Sequence, residues 1–200
     1  MRVSQRAAGA VMIILGATLL AVPALAANKS GQFAVEGVGA ANCATYLSSR
    51  TEKSARFERL IGFVEGYLTA ANRYEPSTFD LSPWHNSTGF ALILDNYCKA
   101  HPKDALVIAA ERMVVSFMPL RLAEFSPLLE VGDSNKKTHV YEQILKRAQG
   151  ALQRRGLYTG AQDGRFSPAL RTALLSFQRS AKLAETGLPD NATLWTLLNP

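Results

Sequence analysis

Apolar residues recur at three- and four-residue intervals through most of the chain, and that spacing predicts helices. Phe57, Leu60, Ile61, Val64, Tyr67, Leu68 and Ala71 form one stripe on a helix from about Lys53 to Arg73. Gly62 and Gly66 lie four apart within it. Both lower helix propensity, and close approach of another helix would account for them. Asn72 to Ser87 contains Pro76, Pro83, Trp84 and His85 and reads as a loop. Ser87 or Thr88 is placed to cap the next helix, which carries Phe90, Ile93, Leu94, Tyr97 and Cys98. Pro102 is expected to open a further helix, striped by Leu106, Ala109, Ala110, Met113, Val114 and Phe117 and ended by Pro119. Residues 27–40 are small and polar and are expected to fray. Residues 41–122 therefore read as a bundle of about four helices.

Ala123 to Lys137 holds Pro127, Gly132, Asp133, Ser134, Asn135 and two lysines, and reads as a linker. Helical spacing then resumes over residues 138–200. Val140, Ile144, Leu145, Ala148 and Leu152 share one face, and Gly156 suits the helix stop. Pro168 opens a second helix that buries Leu170, Ala173, Leu174, Phe177 and Ala181. Asp190 caps a short third one carrying Leu194, Leu197 and Leu198. The expected fold class is all-α, a bundle followed by a three-helix module.

The start of the chain changes this picture. Arg2 and Arg6 precede an uncharged, mostly apolar run from Ala7 to Leu20, and Ala24-Leu25-Ala26 is a small-x-small cleavage pattern. Residues 1–26 read as an export signal removed after Ala26, with an uncleaved membrane anchor as the competing reading; the apolar run is short for a span and Pro23 sits near the cut. No later stretch is long and apolar enough to span a membrane, so no stable span is expected after cleavage. Composition (48% apolar, 19% charged) excludes wholesale disorder. The formal charge is +6, of which the two signal arginines account for +2. Residues 27–130 carry 10 basic and 11 acidic side chains, and residues 131–200 carry 10 and 5. The positive surplus belongs to the last third. Export makes nucleic acid an unsuitable partner despite a pI of about 9.5.

Two cysteines remain, Cys43 and Cys98. In an oxidising compartment a lone pair reads as a disulfide, which would stabilise by roughly 4 kcal/mol in the chain-entropy model. The competing reading is a cysteine nucleophile with a histidine partner. His85 and His101 are near in sequence, in no motif that supports it.

The segment from Ala151 to Leu198 reads ALQRRGLYTGAQDGRFSPALRTALLSFQRSAKLAETGLPDNATLWTLL. It resembles the peptidoglycan-binding domain found beside many bacterial cell-wall hydrolases. The matching residues are Gly156, Leu157, Tyr158, Gly160, Asp163, Gly164, Phe166, Pro168, Phe177, Gln178, Thr186, Gly187, Leu188, Asp190, Thr193 and Leu194. Most specify fold: Asp163-Gly164 is a turn, Phe166 and Phe177 are core plugs, and Asp190 is a cap. The sequence departs from the pattern at Ser167, where glycine is common, and at Leu170, where threonine is common. Ser167 still serves as a cap, whereas Leu170 removes a hydroxyl.

The resemblance implies that this module binds peptidoglycan, whose peptide stems end in carboxylates and whose sugars carry acetamido groups. Such a groove needs cations, amide or hydroxyl partners and a flat aromatic. The candidates are Arg154, Tyr158, Arg165, Arg171, Gln178 and Trp195. Gln178 lies two helical turns beyond Arg171 and is expected on the same face.

The first domain is similar to small exported helical proteins with one disulfide, among them periplasmic acid-stress chaperones and immunity proteins against secreted toxins. The landmarks are Cys43, the run from Phe63 to Asn72, Leu94-Asp95-Asn96-Tyr97-Cys98, and Pro102. This resemblance implies binding of a secreted or periplasmic protein. Tyr67, Asn72 and Trp84 are the possible contacts, with packing the competing role for the first two. His85, His101 and His139 fall in no zinc-ligand spacing, and neither cysteine lies in a transpeptidase-type segment, so no catalytic residue, metal or cofactor is expected. A divergent wall hydrolase is the remaining enzymatic possibility. The expected function is non-catalytic attachment in the periplasm or cell wall of a bacterium, and the alternative is a chaperone or toxin-immunity protein whose last module docks protein.

Overall fold

The computed structural model describes residue 28 and residues 30–199. The expected export signal lies outside the described residues. Residues Val35–Pro200 form one compact unit. Its first half is the expected bundle of α1 (Cys43–Thr51), α2 (Ala55–Tyr74), α3 (Ser87–Ala100) and α4 (Leu106–Phe117). Leu60, Ile61, Val64 and Leu68 of α2 meet Leu94 of α3 and Leu106, Ala110 and Met113 of α4 in one core. Cys43 is bonded to Cys98, joining α1 to α3, and neither is exposed.

Four details differ from expectation. Gly37–Ala40 is a short 3-10 helix, not a frayed end. A side chain at buried Gly39 would strike the Phe63 ring, so glycine permits this contact. The α3 cap is Asn86, whose Oδ1 accepts from Gly89 N–H at 3.0 Å, in place of Ser87 or Thr88. Pro102 does not open a helix. The turn after it supplies carbonyls to the start of α1: Cys43 N–H donates to Asp104 and Ala44 N–H to Pro102. Those amides have no partner inside α1, so residues 102–105 satisfy them and α4 begins only at Leu106. Gly62 and Gly66 are exposed with open space beside them, so no described helix approaches there.

The segment expected as a linker instead carries β1 (Leu128–Gly132) and the start of β2 (Lys137–Tyr141), an antiparallel pair with Glu130 opposite His139. Val131 and Val140 point inward from adjacent strands. Between them Asp133 Oδ1 accepts from Asn135 and Lys136 N–H, and Gly132 takes a φ of 135°. The polar turn residues are thus the tip of a hairpin. Val140, expected on a helix face, is in β2.

The module follows as α5 (Glu142–Arg154), α6 (Pro168–Ser180) and α7 (Asn191–Leu198). Gly156 has a φ of 70° and closes α5 with Leu157 N–H donating to Leu152. Ser167 and Asp190 cap α6 and α7.

The module core is not built from the module alone. Trp84 and Leu122, both from the first half, are buried in it beside Val140, Ile144, Leu145, Leu174 and Leu197. The chain reaches there because Asp80 and Leu122 exchange backbone hydrogen bonds. Trp84 Nε1 then donates to Asn199 Oδ1 at 3.0 Å, and Asn191 Nδ2 donates to the Trp84 carbonyl at 2.9 Å. Arg147 on α5 donates to the carbonyls of Leu120 and Arg121. The two halves therefore share packing across their junction.

Candidate functional site

Two buried glutamines organise the module. Gln149 on α5 is fully buried. Its Nε2 donates to Asp163 Oδ1 at 2.9 Å and to the Arg165 carbonyl, and its Oε1 accepts from Gly164 N–H. Gln178 on α6 does the same for a second turn. Its Nε2 donates to Thr186 Oγ1, the Leu188 carbonyl and Thr193 Oγ1, and its Oε1 accepts from Gly187 N–H at 2.8 Å. Each glutamine holds a glycine at positive φ, 74° at Gly164 and 67° at Gly187. Buried amides are tolerated when every polar atom is paired, and both are.

Two of the candidate ligand residues lie in the interior. Gln178 has no exposed surface and spends its amide on the 186–193 segment, so it holds the fold together. Tyr158 is buried too, with its hydroxyl donating to the Ala161 carbonyl. Gln178→Leu is expected to cost about 2 kcal/mol of unfolding free energy, because it strands the Gly187 N–H and the polar partners around it. Urea unfolding measures this, and an unchanged midpoint would contradict the structural role.

The other four candidates are not brought together. Arg171 pairs with Asp133 on the hairpin tip at 3.0 Å. Arg165 borders a cavity that also contains Glu130, Glu142 and Asp163, which disfavour an anionic ligand there. Trp195 lies at the junction with the bundle, against His85. Arg154 alone opens onto a basic groove.

That groove runs beside α5. One cavity of about 430 Å³ is lined by Gln143, Lys146, Arg147, Gly150, Arg154 and Gln162, with Trp84, Pro119, Leu120 and Leu198 opposite. A second of about 430 Å³ shares Gln143, Lys146 and Arg147 and continues to Ala123–Pro127, but Glu142 and Glu124 line it, so the surplus of positive charge is at the Arg154 end. Arg154 is in no ion pair among the described residues. Lys146 pairs with Glu142 at 2.6 Å. Burial lowers the pKa of Arg147, and its donors are committed to the 120–121 carbonyls. The groove therefore offers one free guanidinium, a shared ammonium and two amide side chains. That set suits a ligand with a carboxylate and amide bonds. Of the residues lining this groove, the sequence reading named Arg154 and did not name Lys146, Gln143 or Gln162. The signal for Gln143 and Lys146 was available, since 143, 146, 147, 150 and 154 share one helical face, whereas Gln162 lies in the loop after α5.

Residues 142–197 match the family model described as a peptidoglycan binding domain. No curated protein and no solved structure matches the chain. The family match starts at the first residue of α5 and ends within α7, so it covers all three module helices and none of the bundle.

Proposed function

We propose that this is an exported, non-catalytic peptidoglycan-binding protein that holds its helical bundle at the bacterial cell wall. The family match over 142–197 carries the reading. The Cys43–Cys98 disulfide supports an extracytoplasmic location. Among the described residues no helix is long and apolar enough to cross a membrane. In this reading Arg154 and Lys146 receive a carboxylate of the peptide stem, and Gln143 and Gln162 pair with its amides. Arg165, Arg171 and Trp195 contribute nothing to that groove.

Sedimentation of residues 27–200 with purified sacculi tests it. Binding is expected, and it weakens as salt rises because the groove is cationic and open to solvent. Lys146→Ala with Arg154→Ala is expected to weaken binding at least about tenfold, since both cations that receive the carboxylate are lost, without moving the melting temperature. Unchanged sedimentation of the double variant would remove the α5 groove as the site.

One observation favours the second reading, a chaperone or toxin-neutralising protein. A groove between α2 and α4 exposes Tyr74 and Val115 beside Glu75 and Glu111. Complex formation with a secreted protein, abolished by Val115→Glu, would support it.

A further inference from the structure

The junction of bundle and module contains a cleft of about 390 Å³, within the range of small-ligand sites. Trp84, Trp195 and His85 make its apolar wall, and Asn86, Thr88 and Asn191 bring polar groups to it. Trp84 and Asn191 are fixed by the bonds Trp84 Nε1 to Asn199 and Asn191 Nδ2 to the Trp84 carbonyl. Asn86 and Thr88 are exposed at its edge. No residue lining it carries a full charge at neutral pH: there is no Lys, Arg, Asp or Glu, and burial keeps His85 neutral. Neither ring nitrogen of His85 has a hydrogen-bond partner.

We infer that this cleft binds a neutral, N-acetylated amino sugar. A carboxylate would find no cation here, so the peptide stem is excluded. A purely apolar ligand would make no use of the polar atoms still free at the rim, Asn86 Nδ2, Asn191 Oδ1 and the Thr88 hydroxyl, since Asn86 Oδ1 and Asn191 Nδ2 are already bonded. A pyranose with an acetamido group satisfies both sides: its C–H face and methyl lie on indole, and its hydroxyls and amide meet asparagine and threonine. The inference rests on the wall-binding reading and sharpens it. Trp84 borders both this cleft and the α5 groove, so glycan and stem of one polymer would be received on either side of a single residue.

The test uses residues 27–200 and a β-1,4-linked tetramer of N-acetylglucosamine. Both tryptophans of the chain line the cleft, so all indole fluorescence reports on it. A saturable fluorescence change is expected. Thr196→Arg is expected to weaken it at least about tenfold, with an unchanged melting temperature. Thr196 is exposed at the cleft, and its hydroxyl bonds only within α7. Sacculus sedimentation is run in parallel. Sacculus binding without a saccharide response overturns the glycan cleft and leaves wall attachment standing. A saccharide response that Thr196→Arg weakens, without sacculus binding, supports the cleft and overturns the attachment reading. A response that Thr196→Arg leaves unaltered overturns the assignment to this cleft. No response in either assay overturns both.

Discussion

Replacing Cys43 and Cys98 together by alanine is expected to lower the unfolding free energy by about 4 kcal/mol. The bond closes a loop spanning 55 positions, and in the chain-entropy model its main effect is to restrict the unfolded chain. The structure adds a local reason. α1 has nine residues and is too short to persist alone. It is held by the disulfide, by Tyr46 in the core and by the Pro102 and Asp104 carbonyls. Without the cross-link, α1 and the 102–105 turn should exchange amide protons first. Thermal unfolding of the oxidised protein, the reduced protein and the double variant measures the effect. A drop of roughly 10 °C is expected for a chain of this size. A drop below about 1 kcal/mol would mean that the bundle closes without the bond.

Acidification from pH 6.5 to 4 is expected to remove about 3 kcal/mol, through His85. Its ring lies among Trp84, Phe90, Phe117 and Trp195. Burial lowers its pKa from 6.5 to about 4, and no charged neighbour contributes. The fold thus favours the neutral ring, while the unfolded chain binds the proton more readily. Stability from this residue is full above pH 6.5, declines between 6.5 and 4, and is flat below 4. The lowered carboxylates lose their favourable contacts further down: Asp133 and Asp163 below their ordinary 3.8, outside that range, and Glu130 and Glu185 from their ordinary 4.5 downward. His85→Phe should flatten the dependence between pH 6.5 and 5. Denaturant midpoints of both proteins across that interval decide the matter. Equal slopes would show that another group is responsible.

The bundle helices were legible because their apolar residues repeat with helical period. The α4 stripe from Leu106 to Phe117 is buried throughout. Gly156, Ser167, Pro168 and Asp190 mark module boundaries for local reasons, so sequence reveals them. The hairpin was hidden because its tip has the composition of a linker, and each strand has only five residues. The direction of Pro102 depended on orphan amides of α1, about 60 positions away in sequence, which no local pattern reports. The surroundings of the candidate residues were the least legible. Arg171 and Gln178 share helical spacing, but spacing cannot reveal that the glycine turn at 187 needs a buried amide. Trp84 sat in an apparent loop, and only tertiary structure shows it completing the core of the module.

That placement of Trp84 and Leu122 bears on how the protein would stand on a surface. A coil between domains works as a tether, letting the distal part sample many headings. Here, side-chain packing joins the two halves, and the molecule acts as a bracket. In the proposed reading, a bundle so mounted would present its α2–α4 face along one heading from the wall. Pulling on one half would load the Trp84 contacts directly, with no slack to take up. Cutting at 123–137 would expose Trp84 on one fragment and leave its socket empty on the other. The working protein is the whole bracket.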